Sequence, residues 1–196
     1  MVFTGRPNAG KSSIIREVMS LNVKVGKTSG TTRWISEYPL SKGLILVDMP
    51  GYGRAAGITN RVQDKNNRRI IYFLETNAPT IVLAVHVLDI STFSEVTRRL
   101  GNKNFISVDV EIFQLLSKAI GEFPLVAANK IDKANNEEIA TNLKELIQQA
   151  ASSEYSSIEH CIFPVSAKTG EWLGLLKSAI NDRLVAKGYK TPFKPR

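Results

Sequence analysis

Gly5-Arg6-Pro7-Asn8-Ala9-Gly10-Lys11-Ser12 decides the fold. This G-x-x-x-x-G-K-S run stands directly behind an apolar stretch, Met1–Thr4, and opens a segment of helical apolar spacing from Lys11 to Leu21. The glycines let backbone N–H groups converge on one point, where the start of a helix adds positive potential. Strand, loop and helix together form a cradle for phosphates. In that geometry Lys11 reaches the β- and γ-phosphates of a nucleoside triphosphate, the Ser12 hydroxyl ligates Mg²⁺, and Ser13 extends the contact set.

Outward from this loop, short apolar runs alternate with amphipathic stretches, the pattern of a layered α/β domain. Strands are expected at Met1–Thr4, Trp34–Pro39, Leu44–Asp48, Thr80–Asp89, Pro124–Asn129 and Cys161–Val165. Helices are expected at Lys11–Leu21, Thr59–Thr76, Val108–Gly121, Asn136–Ala151 and Glu171–Lys187. Asn136 reads as an N-cap ahead of Glu137 and Glu138. In the last helix Trp172, Leu175, Leu176, Ala179, Ile180 and Leu184 fall at core-facing spacing. The Ser41-Lys42-Gly43 turn is too short for a crossover, so the second and third strands form an antiparallel hairpin. The expectation is a six-stranded, mostly parallel sheet with one antiparallel strand and helices on both faces. Asn22–Arg33, Met49–Ile58 and Ile90–Ser107 have no regular pattern, and loops that long are usually functional.

Three further motifs fall at strand ends. Asp48-Met49-Pro50-Gly51 places a carboxylate where it holds a metal through water, and a Gly51 N–H where it senses a γ-phosphate. Asn129-Lys130-Ile131-Asp132 offers a carboxylate to guanine N1–H and the 2-amino group together. Adenine has neither donor and would leave that charge unpaired. Lys130 would lie along the base, and Asn129 would tie this loop to the phosphate loop. Ser166-Ala167-Lys168 offers backbone N–H groups to guanine O6. All four motifs lie on one edge of a parallel sheet, where such sheets bind ligands.

Composition narrows the classes. The 196 residues are 43% hydrophobic with 13 glycines, the globular norm. One cysteine, Cys161, and two histidines, His86 and His160, exclude a disulfide framework and make a structural zinc site improbable. The run Ile81–Leu88 is interrupted by His86 and is far short of the roughly 20 residues of a membrane span. The termini read without a signal peptide, a prenylation box or a myristoylation site, so a cytoplasmic protein without membrane attachment is expected. The net charge of +8 favours a polyanionic partner, nucleic acid first.

The motif set resembles the translation-factor-related GTPases, of the Ras-like G-domain type. The phosphate-loop string is similar to that of the tRNA-modification GTPases, whose extra domains this chain is too short to hold. Length, the hairpin and Asp48-Met49-Pro50-Gly51-Tyr52-Gly53 resemble the EngB (YihA) family of ribosome-assembly GTPases over nearly the whole chain. Asn129, where bacterial members usually carry Thr, and the segment Val108–Leu116 resemble the archaeal branch.

The resemblance implies a Mg²⁺-dependent GTP/GDP switch that hydrolyses GTP and acts on the ribosomal large subunit or its rRNA. A role in cell division and septation, by a non-ribosomal route, is an alternative, as is a binding module that does not hydrolyse GTP. It implies that Thr32 contacts Mg²⁺ and the γ-phosphate only in the GTP state, with Thr31 as its rival. Asn8 corresponds to a residue that helps coordinate K⁺ in relatives with this loop. Lys11, Thr32 and Gly51 would carry the chemistry. Tyr52 follows Gly51 where Ras-like enzymes carry a water-orienting Gln, so slow hydrolysis is expected, stimulated by a partner or by potassium. Arg54 is near, but no arginine finger is assigned.

Other residues take plainer readings. His86 reads as a structural strand histidine and Cys161 as a small buried hydrophobe. Arg61, Lys65, Arg68 and Arg69 share one helix face, either solvated or facing RNA beside the switch segment. Arg98, Arg99, Lys103, Lys187, Lys190, Lys194 and Arg196 would extend it, whereas Lys24, Lys27 and Arg33 suit a solvated loop. The GTP-binding domain is expected over residues 1–188, with 189–196 a frayed basic tail. No exposed apolar helix face argues for a dimer, so a monomer is expected.

Overall fold

Alternation of large apolar side chains along the strands, with period two, leaves both faces of the sheet in need of cover. The computed structural model describes residues 1–23, 35–53, 60–99, 107–151 and 158–193, with backbone only at 60–63 and 98–99. In chain order these form β1 (Val2–Gly5), α1 (Lys11–Met19), β2 (Ser36–Ser41), β3 (Leu44–Asp48) and α2 (Asn60–Asn77). β4 (Ala84–Asp89), α3 (Phe93–Arg99), α4 (Val108–Ile120) and β5 (Leu125–Asn129) follow, then α5 (Asn136–Ala150), β6 (Ile162–Val165) and α6 (Leu173–Ala186).

The sheet order is β2-β3-β1-β4-β5-β6. Among the described residues only the β2–β3 hairpin is antiparallel, as its short turn requires, with Gly43 at φ 78° inside it. On one face Phe3, Val85, Val87, Leu125 and Ala127 pack with Ile14 and Ile15 of α1 and Leu176, Ile180 and Leu184 of α6. On the other, Val2, Ala84 and Val47 meet α2 and α4, while Leu88, Val126 and Ala128 meet α3, α4 and α5. Burial of each such Leu or Ile contributes about 1.5–3 kcal/mol. β1 is flanked by β3 on one side and β4 on the other, so the chain reverses direction across the sheet there. The crevice at that reversal is where an open α/β sheet receives a ligand.

Several local expectations are corrected. The stretch 90–107 holds a 3-10 turn and the seven-residue α3. α3 is too short to announce itself by period, and it is fixed by α5. Asn142 donates to the Ile90 carbonyl at 2.7 Å and accepts from the Ser94 N–H at 3.3 Å. The fourth strand begins at Ala84, because Ala78–Thr80 with its Pro79 forms a 3-10 turn instead. The cap of α5 is Asn135, in a reciprocal capping box with Glu138. Trp172 and Leu175 are each 56% exposed: Trp172 precedes α6, whose apolar face runs through Leu173, Leu176, Ile180 and Leu184 and leaves Leu175 to the outer side. The terminal segment is not frayed through 193. Tyr189 and Phe193 pack on the α1/α6 core, and the Lys177 ammonium stands 4.6 Å over the Phe193 ring. Trp34, Lys194 and Arg196 lie outside the described residues.

Candidate functional site

The phosphate loop bridges β1 and α1 under two steric constraints. A Cβ on Gly5 would come within 2.5 Å of the Val87 carbonyl oxygen in β4. At Gly10, φ is +95° and a Cβ would collide with the Asn129 side-chain amide. Glycine is required at both positions. Gly10 caps α1 in the left-handed region with no side-chain cap, which leaves the first-turn N–H groups of Lys11, Ser12 and Ser13 as donors for an anion. Asn8 is exposed at the loop tip with φ 67°. Arg6 and Pro7 are half-buried, and Ala9 is buried.

Lys11 is 6% exposed and forms a buried ion pair with Asp48. Burial pushes the Lys11 ammonium below its usual pKa, and Asp48 opposes that shift by charge and hydrogen bond. The register pairs Phe3 with Asp48, which places this carboxylate beside the phosphate loop. Three residues on, a Cβ on Gly51 would meet Pro7 at 2.9 Å, so the segment after β3 lies directly against the loop. Tyr52 is 1% exposed and points into the core. Its hydroxyl donates to Asp109 at 2.6 Å and lies 3.1 Å from His86 Nε2.

Asn129 ties the loops together. Its Nδ2 donates to the Ala9 carbonyl at 2.8 Å and its Oδ1 accepts from the Ala167 N–H at 2.9 Å. Lys130, at φ 72°, reaches Asp89 over 2.5 Å, a partner for which the sequence offered no signal beyond its place at a strand end. Asp132 accepts from the Ser166 hydroxyl at 2.7 Å through Oδ1, while its buried Oδ2 has no hydrogen-bond partner. The Ser166 hydroxyl, first among several contributions, holds the Asp132 carboxyl below the usual carboxylate range, so it is ionised at neutral pH. The N–H groups of Lys168 and Thr169 are donated within the loop, to Ser166 Oγ at 3.2 and 3.1 Å. Gly10, Ser13, Asn129, Lys130, Asp132 and Lys168 line one depression of about 530 Å³. The phosphate loop and the two later motifs therefore open into a shared cavity.

Thr31, Thr32, Arg54, Lys24, Lys27, Arg33 and Lys103 lie outside the described residues, as do the side chains of Arg61, Arg98 and Arg99. His86 and Cys161 are fully buried, as structural roles require. On α2, Asp64, Lys65, Arg68, Arg69 and Tyr72 line a second depression of about 670 Å³. Among the described residues no His/Cys/Asp/Glu cluster would hold a metal by protein ligands alone, and no helix is long and apolar enough to cross a membrane.

A six-stranded sheet with one antiparallel edge hairpin and phosphate-loop geometry at its reversal point is the P-loop GTPase fold. Residues 1–130 match the family described as 50S ribosome-binding GTPase. The chain belongs to the EngB family of GTP-binding proteins. It is 37% identical over 185 residues to a probable GTP-binding protein EngB of Methanosarcina barkeri, covering 94% of this chain and 87% of that one. The corresponding Methanopyrus kandleri protein is 36% identical over 192 residues, 96% of this chain and 94% of the relative. A crystal structure of a probable GTP-binding protein engB superposes with a TM-score of 0.81 at 32% identity, covering 94% and 98% of the two chains.

Proposed function

We propose that this chain binds guanine nucleotides in the cavity between the phosphate loop and Asp132, hydrolyses GTP slowly to GDP and phosphate, and serves as a nucleotide-gated factor in assembly of the ribosomal large subunit. The guanine reading rests on Asp132. Its Oδ2 is a buried, ionised acceptor without a hydrogen bond, faced by the exposed Lys168 ammonium at 3.7 Å, and the carboxylate is held in place by Ser166 through Oδ1. Guanine N1–H and the 2-amino group would satisfy it, and adenine would leave it stranded. Asn129 sets the distance between the base end and the phosphate end. Lys130 flanks the base, and the Ala167 N–H is shared between Asn129 and guanine O6 as a three-centre bond, with Ser166 and Lys168 completing that loop.

At the phosphate end the Gly5–Gly10 backbone, with Arg6, Pro7, Asn8 and Ala9, wraps the phosphates, and Ser12 and Ser13 follow at the start of α1. Lys11 exchanges Asp48 for the β- and γ-phosphates. Ser12, Asp48 (through water) and Thr32 (or Thr31) would hold Mg²⁺. The described donors are hard oxygens, as that ion prefers, and it commonly keeps waters and substrate phosphates rather than a full protein cage. When bound it neutralises charge on the phosphoryl oxygens. The Gly51 N–H contacts the γ-phosphate. Lys11, Thr32 and Gly51 stabilise the transferring group, while Tyr52, turned into the core, contributes nothing to the attacking water. Hydrolysis is therefore slow, and a partner, or a K⁺ ion at Asn8, supplies the missing stabilisation.

The large-subunit reading rests on the family's description, the net charge of +8 and the basic residues of α2, a helix whose Asn67 accepts from the Gly53 N–H two residues after Gly51. We assign residues 1–188 to this domain and place it as a monomer in the cytoplasm. Burial of Tyr52 also favours a second reading, a GTP-binding module that does not hydrolyse. Co-sedimentation with ribosomal subunits, comparing a non-hydrolysable GTP analogue with GDP across a salt series, tests the first. Selective large-subunit binding that is tighter with the analogue and weaker in salt is expected. Single-turnover incubation with GTP, with Lys11→Ala as blank, decides the second: absence of GDP formation would leave the binding module. Nucleotide-independent behaviour toward both subunits would move a role in cell division to the front.

A further inference from the structure

Five buried or half-buried polar side chains meet beneath and beside the phosphate loop. The Thr4 hydroxyl in β1 lies 2.9 Å from His86 Nδ1 in β4. His86 Nε2 lies 3.1 Å from the Tyr52 hydroxyl, whose ring stacks on the imidazole at 5.7 Å between centroids. Tyr52 donates to Asp109 Oδ1 at 2.6 Å, and Asp109 Oδ2 faces the Arg6 guanidinium at 3.5 Å.

The order of protons follows from the chemistry. A phenol that donates to a carboxylate has only a lone pair left for the imidazole, so Nε2 carries the hydrogen and Nδ1 accepts from Thr4. Burial keeps this histidine neutral, with its pKa near 4, and holds the phenol proton on Tyr52. The chain therefore runs Thr4 → His86 → Tyr52 → Asp109, with Arg6 at its far end. The O–H···O⁻ link is short and charge-assisted, the stronger class of hydrogen bond.

Two of its members touch the nucleotide machinery. Arg6 belongs to the phosphate loop. Tyr52 follows Gly51, and its N–H donates to the Gly5 carbonyl at only 3.4 Å, a weak backbone link. Tyr52 is thus held chiefly by its side chain. Gly51 is confined between that anchor and Pro7.

We infer that Asp109, acting through Tyr52 and Arg6, is a positioning residue that holds the Gly51 N–H in register with the phosphate loop, and so sets the preference for nucleoside triphosphate over diphosphate. The inference rests on the guanine-nucleotide reading above. On that reading GDP, which lacks the γ-phosphate, would not reach the Gly51 N–H, so it serves as the internal control for folding and for the rest of the site.

The experiment measures equilibrium affinities of the full chain for fluorescent GDP and for a fluorescent non-hydrolysable GTP analogue. Wild type is compared with Tyr52→Phe, which keeps the ring and removes the hydroxyl. It is also compared with Asp109→Asn, which keeps an acceptor for Tyr52 and loses the charge that holds Arg6. Affinity for the analogue should fall about tenfold or more, with GDP affinity within a factor of two. Equal losses for both nucleotides, or no change for either, would overturn the inference. Should Tyr52→Phe not fold, Asp109→Asn decides alone. A wild type that binds neither nucleotide would instead overturn the guanine-nucleotide reading itself.

Discussion

Across 120 positions of sequence, Asn129 donates a 2.8 Å hydrogen bond to the carbonyl of Ala9. The same side chain accepts from the Ala167 N–H, so one buried amide joins the phosphate loop, the end of β5 and the loop after β6. That amide also forbids any side chain at Gly10. The shape of the site is therefore a property of three loops at once.

Asn129→Ala removes both bonds and strands a carbonyl and an N–H beside a new void. Each unsatisfied buried group costs about 1–3 kcal/mol. A loss of roughly 2–4 kcal/mol is expected in urea denaturation of the nucleotide-free protein, seen as a lower midpoint at unchanged slope. Asn129→Asp, which keeps an acceptor for Ala167 but presents a second oxygen to the Ala9 carbonyl, should be no better than Ala.

Asp132→Asn should redirect base selection. The substituted amide presents a donor where the carboxylate presented acceptors, so guanine loses its partner and a base with a C2 carbonyl, xanthine, gains one. A loss of at least about 100-fold in GTP affinity is expected, together with tighter binding of xanthosine triphosphate, both read by competition against a fluorescent nucleotide. Unchanged preference for guanine would remove Asp132 from the base site.

The motifs that build this cavity were legible because each is local: a strand, a turn and the start of a helix within eight or fewer residues. Gly5–Ser12 and Asn129–Asp132 carry their geometry in their own spacing. Asp109 does not. An acidic residue in the first turn of a helix reads as a partner for the helix dipole, and nothing in Val108–Leu116 announces a phenol from 57 positions earlier. Asp89 ends a strand near the site, but nothing in the sequence assigns it a role, since its ion pair with Lys130 joins the ends of two strands. The short α3 carries too few turns for a period, and Trp172, at core-facing spacing, stands one residue ahead of α6 in a left-handed conformation that leaves it exposed. Tertiary pairing, rather than local pattern, decided each of these.

Lys11 separates stability from chemistry. Lys11→Ala should abolish detectable GTP hydrolysis and also destabilise the nucleotide-free protein by about 3–5 kcal/mol, because Asp48 remains buried without its partner. Replacing the pair by Lys11→Met with Asp48→Leu should restore much of that stability, since apolar groups of similar volume often substitute for buried ion pairs. Hydrolysis should stay absent. Thermal denaturation and phosphate release, measured on the same three proteins, check both halves.

His86 gives stability an acid limb of known sign. Burial, only partly offset by Asp109, lowers its pKa from 6.5 to about 4, so the folded state holds a neutral imidazole between Thr4 and Tyr52. The unfolded chain takes up a proton near pH 6.5 while the folded chain does not, so this contribution is fully present above that pH. It is lost progressively as pH falls from about 6.5 to about 4, and no further below, where both states are protonated. The full transit corresponds to roughly 3 kcal/mol. Denaturant titrations at fixed ionic strength should therefore show stability falling over that window. In His86→Gln, which titrates nowhere in the range, the fall should be shallower by about that amount, with carboxylates supplying the remaining slope in both proteins. Parallel curves for the two proteins would mean that the folded His86 takes up its proton at the same pH as the unfolded chain, and through the lower part of that window an Nδ1–H would donate to Thr4, reversing the first link of Thr4 → His86 → Tyr52 → Asp109.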